Sequence, residues 1–465
     1  MSEPNAGNGL SPKIQDQVDN IVSAFNSEAG HQAQRDAGSE PVEVGYETSA
    51  QGMAFMYALD HILVREPYLQ RVLNILNQPP LEDQDIWNPP PGTTPRAEPV
   101  IAGVVLLRLQ KEKVPDGKEL TVLEALRRVD KVLGPGYATP DHVLTVDGEG
   151  GPCPATEPEE VYDGMEPYPS VCPDGDAGAG ISIYMADTGL IRYGDQDPVS
   201  GTPPHEVVTN SGKPHAWLKG VRGDRDPHQP HPATRIKPYE GHGTFVAGVA
   251  RCMAPAAEIY VANAFKVAGS TLETHLARHL DNALAKGYDL FHLSVTAPTR
   301  RDLPLLSFEG WLRRLRQYKG VACVVAAGNS SSQLPSWPAA FPEVVSVGAL
   351  AADWRSRALF SNYGPWVDVY APGRDLINAF GIGTYHCYTA PYKPQPRHFY
   401  GMAKWSGTSF STPVVTGLIA ARMSRTGENG QEAAAALLAQ ARSQAIPGIG
   451  ALLLPYGNHF AALAG

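Results

Sequence analysis

Long apolar runs are missing from this chain. No stretch of its 465 residues approaches the roughly 20 apolar residues of a membrane-spanning helix, so no membrane partner is expected. The opening segment, MSEPNAGNGLSPKIQDQVDN, has no basic start, apolar run or small-residue cleavage site. No Sec signal is expected from it, and the cytoplasm is the expected location, with export by another route left open. Cysteine is scarce. Five residues, an odd number, do not make a disulfide framework. Cys252 and Cys323 stand in apolar surroundings and read as small packed hydrophobes. Cys153 and Cys172 flank a loop, as a disulfide or as a reduced pair. Basic excess is also absent: 38 Lys and Arg stand against 48 Asp and Glu, a formal charge of −10. That argues against a nucleic-acid partner, which would call for clustered Lys and Arg. There is no internal repeat.

What is abundant is turn chemistry, with 46 glycines and 42 prolines. The apolar content of 43% is that of an ordinary globular protein, and the length admits one large core or two domains. Residues 1–45 are polar and weakly patterned, and are expected to be disordered or loosely helical. Residues 46–150 read as a small helical and α+β region. Within it, apolar positions over 47–77 recur at helical spacing. A proline-rich stretch follows, then the apolar run VIAGVVLLRL, the helix TVLEALRRVDKVL and the strand DHVLTV. Residues 151–178 read as an irregular linker. From about 179 to 428 short β-branched runs alternate with helical segments: ISIYMAD, EIYVANAF, LFHLSV, ACVVAAG, VVSVGAL and VDVYAPG. Several lack period-two alternation, as strands buried on both faces do. The expected fold is therefore α/β, with a doubly wound, mostly parallel sheet flanked by helices. Residues 429–465 read as a helical tail.

Functional residues in such sheets gather at the carboxyl ends of strands. Asp187 ends the run IYMAD and precedes Thr188 and Gly189. An acid there is either a turn former or a functional carboxylate. Asp-Thr-Gly also marks aspartic proteases, but those need two such carboxylates, and the tripeptide occurs once. His242 sits between two glycines ahead of an apolar helical run, either as a helix-start residue or as an imidazole open to close approach, suited to moving a proton near neutrality. Asn329 follows Gly328 after another buried strand, as a turn or as an amide aimed at a developing oxyanion. Ser409 lies in KWSGTSFSTPVVTG, a helix start with its backbone N–H groups free and the helix dipole behind them. Pro413 is tolerated in that first turn.

In chain order, ADTGL, GHGTFVAGV, AAGN, FSNYGPWVDVYAPG and SGTSFSTPVV resemble the motifs of subtilisin-family (subtilase) serine proteases over about 178–425. The resemblance implies a subtilisin-like fold and a serine endopeptidase acting on polypeptide substrates. It implies that Asp187 orients His242, that His242 takes and returns the proton of Ser409, and that Ser409 forms an acyl-enzyme. Asn329 and the backbone N–H of Ser409 would hold the oxyanion. Leu293, Ser294, Val295 and Thr296 resemble the segment on which a substrate adds as a strand. Thr296 stands where the family usually has glycine, which leaves the cleft shape open. No cofactor is implied. The helix after His242 runs almost directly into the next strand, leaving no room for the family's usual calcium loop, so no metal is expected there. Secreted members carry an α+β prosegment over the cleft, so residues ahead of 148 are expected either to contact the cleft intramolecularly or to form a fixed accessory domain.

His205, His215, His228 and His231 lie between Asp187 and His242 with irregular spacing and read as a solvated loop. The basic stretch RRDLPLLSFEGWLRRLRQ reads as a surface helix. Residues 380–405 lengthen the approach to Ser409 and are expected to overhang the cleft. Sedolisin relatives share the Ser-Gly-Thr-Ser stretch but use a carboxylate where GHGT stands. A catalytically silent binding or regulatory protein of the same fold is the alternative from another class.

Overall fold

A computed structural model describes residues 12–36, 40–48, 54–77, 96–109, 120–146, 155–162, 164–191, 215–226, 235–387 and 392–455. At its centre lies a 7-stranded sheet that takes in all six apolar runs expected as strands. These are Ser182–Asp187, Glu258–Asn263, Leu290–Leu293, Ala322–Ala326, Val345–Leu350 and Val369–Pro372. The short strand Arg222–Gly223 adds one edge. Every pairing is parallel. From Ser182–Asp187 the chain first adds Glu258–Asn263 on one side, then returns to add Leu290–Leu293 on the other. That reversal opens a crevice outside the carboxyl ends of the central strands.

Burial on both faces explains why these runs lack alternation. Ile183 and Met185 enter one core with residues of the helices His242–Met253 and Thr408–Thr426. Tyr184 and Ala186 enter the opposite core with residues of Glu273–Leu284 and Leu306–Leu315. The stretch read as a basic surface helix is instead buried through Phe308, Trp311, Leu312 and Leu315. Leu306 and Gly310 pack against an element far away in sequence.

That element is a second, antiparallel sheet. Its strand Ala54–Arg65 pairs with Val44–Thr48, Val104–Arg108 and Ala138–Thr145, and Arg96–Ile101 lies outermost. Helical spacing over 47–77 therefore misled: only Leu69–Leu76 is an α-helix, after a 12-residue strand. Ile62, Leu63 and Val64 are consecutive and wholly buried, because both faces of the sheet are covered. Such a run cannot be told from a helix by period alone. Ile62 and Val64 pack under the helices Leu69–Leu76 and Val122–Leu133, while Leu63 faces Leu306. The run VIAGVVLLRL is a hairpin turned at Ala102–Gly103.

Residues 12–36, expected to be disordered or loosely helical, form the packed helices Pro12–Asn26 and Glu28–Asp36. Val18, Ile21 and Phe25 make one apolar stripe packed on Val44, Met56, Val143 and Leu272. Three apolar residues in a polar background give little compositional signal, yet at this spacing they share a helix face. The helical tail ends earlier than expected. The helix Gly430–Ser443 is closed by a capping box on Asn429, and Tyr370 and Leu452 form a bridge beyond it.

The two units are joined by buried and partly buried polar contacts. Asp141 accepts at Oδ1 from Thr274 N at 3.1 Å and at Oδ2 from Thr274 Oγ1 at 2.7 Å, with His61 Nδ1 3.0 Å from the same Oδ2. It thereby caps the helix Glu273–Leu284, whose own N-cap, Leu272, has no side-chain bond to offer. His142 Nδ1 lies 3.1 Å from Glu273 Oε2, and Arg65 makes a bidentate pair with Glu309 at 2.7 and 3.0 Å. Asp141→Ala strands His61 and Thr274 in the interior, and is expected to destabilise the folded chain by about 1–3 kcal/mol. Thermal melting checks this, and a midpoint equal to wild type would contradict it.

Candidate active site

Asp187 is the last residue of its strand and His242 the first of its helix. Both are fully buried. His242 Nδ1 lies 2.6 Å from Asp187 Oδ1, which also accepts from Thr188 N at 2.8 Å. The approach is possible because residue 243 is glycine. A Cβ there would stand 2.4 Å from Gly189 O and 3.1 Å from Asp187 Oδ1. Gly241, the helix N-cap, takes φ +84°, a left-handed conformation that suits glycine. The other ring nitrogen, Nε2, is buried with no hydrogen-bond partner among the described residues. The imidazole leans on Phe410, at 5.4 Å between ring centres, and Trp405, at 5.8 Å.

Phe410 is the neighbour of Ser409, so the ring stands beside the start of the helix Thr408–Thr426. Ser409 is its second residue, where backbone N–H groups lack intrahelical acceptors. Asn329 follows the strand Ala322–Ala326. Its Oδ1 accepts from Thr408 N at 2.8 Å and Thr408 Oγ1 at 3.0 Å. That fixes the amide and leaves Nδ2 buried with no partner among the described residues. An amide N–H, a serine and an imidazole nitrogen thus lie around one helix start, with no hydrogen bond between Ser409 Oγ and His242 Nε2. The four residues singled out in the sequence are brought together.

The expected substrate segment follows the strand Leu290–Leu293. Ser294 Oγ donates to Ser409 O at 3.1 Å, tying the two loops. Thr296 exchanges both backbone bonds with Thr145, at 3.1 and 3.0 Å. On its other side, the strand Ala138–Thr145 pairs antiparallel with Ser270–Leu272. Val146 N donates to Gly269 O at 3.0 Å, and Ser409 Oγ donates to Val146 O at 3.4 Å. Residues 143–146 therefore lie between the two rims, with a carbonyl at the serine.

Three polar residues at the site escaped the sequence reading. Asp226, fully buried, accepts at Oδ2 from Gly241 N at 3.0 Å and Thr188 Oγ1 at 3.2 Å. Thr188 Oγ1 in turn accepts from Gly243 N at 3.1 Å. A carboxylate from a remote segment thus caps the helix that carries His242. Glu240 is also buried and accepts from Lys237 N at 3.0 Å. Burial, and then the charge of Asp226, push its carboxyl up to about 8. His292 has its ring nitrogens 3.0 Å from Thr416 Oγ1 and 2.9 Å from Ser294 Oγ, and burial drives its pKa down to about 3. Neutral, it braces the loop that holds Ser409 O. No short motif marks any of the three, since each matters through a partner distant in sequence.

Of the four histidines expected in a loop, His215 is buried, with Nε2 2.8 Å from Gly401 O. The other three lie outside the described residues, as does Cys153. Cys172, Cys252, Cys323 and Cys387 are free and buried. Among the described residues no group of three or more His, Cys, Asp or Glu side chains is arranged to hold a metal ion, and no helix is long and apolar enough to cross a membrane.

A model of the Subtilase family matches residues 178–458. M-protease of Shouchella clausii (strain KSM-K16) is 27% identical over 254 residues, 52% of this chain and 54% of M-protease. Subtilisin Savinase of Lederbergia lenta is 27% identical over 254 residues, 52% of this chain and 76% of Savinase. The matched part thus spans about half the length of the first relative and three quarters of the second. The crystal structure of fervidolysin from Fervidobacterium pennivorans, a keratinolytic enzyme related to subtilisin, is similar with a TM-score of 0.54 at 18% identity, covering 90% of this chain and 63% of that one. At that identity the likeness concerns the fold alone, and its coverage reaches ahead of residue 178 into the antiparallel sheet.

The buried acid pair gives a pH signature. With its carboxyl raised to about 8, folded Glu240 keeps a proton that the unfolded chain releases in the ordinary glutamate range. Its contribution to stability is complete below that range, declines as pH climbs toward the folded value, and is level above it. Glu240→Gln is expected to flatten this decline and raise the melting temperature at alkaline pH. Melting curves from about pH 5 to about pH 9 test it, and parallel profiles for the two proteins would contradict it.

Proposed function

The chain belongs to the subtilase family, and on that premise we propose that it is a serine endopeptidase that hydrolyses polypeptides through Asp187, His242 and Ser409. The observation that carries the reading is the 2.6 Å contact between Asp187 and His242, with the far nitrogen of the ring left without a hydrogen-bond partner among the described residues and Ser409 at the adjoining helix start. Ser409 Oγ attacks the scissile carbonyl while His242 Nε2 takes its proton. Asp187 holds the ring by Nδ1 and stabilises the imidazolium. The C–N bond then breaks, His242 returns the proton to the leaving amine, and water attacks the acyl-enzyme by the same route. Asn329 Nδ2 and the Ser409 backbone N–H hold the oxyanion. Loss of one such donor costs roughly 10²–10³ in turnover.

The antiparallel unit acts as an intramolecular occupant of the cleft. Residues 143–146 take both rims by main-chain bonds, as a substrate strand would. Covalent linkage gives them a high effective concentration at the serine. The unit is accordingly inhibitory until the chain is cut behind it.

A fluorophosphonate probe is expected to label wild-type protein, and Ser409→Ala to abolish both labelling and peptidase activity. Equal hydrolysis by the variant ends the assignment, and an unlabelled wild type favours a silent binding protein. Intact mass is expected to show loss of the N-terminal unit in the wild type and not in Ser409→Ala. An uncut wild type with full activity would favour a fixed accessory domain.

A further inference from the structure

The chain marks the direction of the cleft by its own course. Residues 143–146 enter along Ser270–Leu272 and Thr296 and bring the Val146 carbonyl to Ser409 Oγ. This is the acyl side. The described chain resumes at Ala155, whose N–H donates to Ser406 O at 2.9 Å. Ser406 lies three residues before the serine, on the approach from the strand Pro396–Trp405. By chain order, and on the protease reading, this is the side by which a leaving group would depart.

That side is already taken. Glu159 and Lys404 exchange both backbone bonds, at 2.8 and 2.9 Å, and their side chains pair at 2.7 Å. Trp405 Nε1 donates to Thr156 O at 2.6 Å, Arg397 to Pro158 O at 2.6 Å, and Tyr385 OH to the buried Glu157 at 3.0 Å. His398 N donates to Glu160. Further along, Tyr168 exchanges both bonds with Ile377, at 2.8 and 2.9 Å. The segment therefore runs as an added strand against the hairpin Leu376–His386 and Pro396–Trp405. A peptide leaving the cleft would need the same main-chain groups of Ser406 and Lys404.

We infer that residues 155–160 are a built-in strap over the leaving-group side of the cleft, so that this chain favours scissile bonds followed by few residues and disfavours cuts inside long chains. The inference rests on the serine-protease reading and sets its substrate class. The strap lies beyond Val146, so a cut ahead of Ala155 leaves it in place.

The test compares two substrates with the acyl sequence Val-Leu-Thr-Val of residues 143–146. One ends in p-nitroanilide, and the other continues for about six residues to a quenched fluorophore. The processed wild type is expected to favour the short leaving group by about tenfold in kcat/KM. Glu157→Ala with Arg397→Ala, which loosens the strap away from the triad, is expected to raise kcat/KM severalfold on the long substrate and leave the p-nitroanilide rate unchanged. Equal rates on both substrates in the wild type overturn the strap, as does a mature N-terminus beyond residue 160 or a variant that shifts both rates alike. Absence of p-nitroanilide hydrolysis and of fluorophosphonate labelling counts against the protease reading instead. The strap is then decided by hydrogen exchange on the full chain: slow amides at 155–160 that the double variant releases support it, and fast exchange in the wild type overturns it.

Discussion

The geometry of the candidate site depends on how closely one helix start can approach one strand end. His242 reaches Asp187 at 2.6 Å only because the next residue has no side chain. At Gly243 even a methyl group would meet the carbonyl of Gly189. A helix so placed presents its first N–H groups to a buried, acid-rich pocket, and the pocket answers with two acceptors, Thr188 Oγ1 and Asp226 Oδ2. The carboxylate that orients the imidazole and the carboxylate that caps its helix are thus different groups. Separating these tasks lets Asp187 spend one oxygen on the ring and on Thr188 N. The helix itself is anchored from elsewhere.

The same close packing governs Ser409, the proposed nucleophile. Ser409 is held by its surroundings on three sides: Asn329 receives the Thr408 N–H and hydroxyl, Ser294 donates to the Ser409 carbonyl, and Phe410 lies tilted against the imidazole. His292 supports this set from behind. A positively charged His292 would sit near Asp187 and His242 and disturb both. Its deep burial keeps it neutral across the working range.

Much of this was legible in sequence, for a physical reason. Strands buried on both faces announce themselves as apolar runs, and the residues at their carboxyl ends carry local signatures, glycine beside histidine and serine ahead of a helix. The illegible parts are those whose meaning depends on a distant partner. Phe55 to Val64 read as helical because covering both faces of a sheet erases period two. The stretch Leu306–Leu315 read as a surface helix because the sheet that covers it lies some two hundred residues earlier. Asp226 and Glu240 look like loop acids until the helix start is set between them. Residues 155–160 looked like a linker because main-chain pairing along an edge needs no apolar pattern.

The strand Ser270–Leu272 belongs by chain to the larger unit and by hydrogen bonding to the smaller one. It stands at the end of that sheet, and removing the antiparallel unit would strip it of its partner strand Ala138–Thr145, leaving the backbone donors and acceptors it pairs through facing solvent. Proteins ordinarily suppress such edges because they recruit any extended chain. On the protease reading proposed above, that recruitment would be the recognition event. Maturation by this route would amount to unzipping one β-sheet, and each substrate bound afterwards would re-form for a moment the strand that was lost.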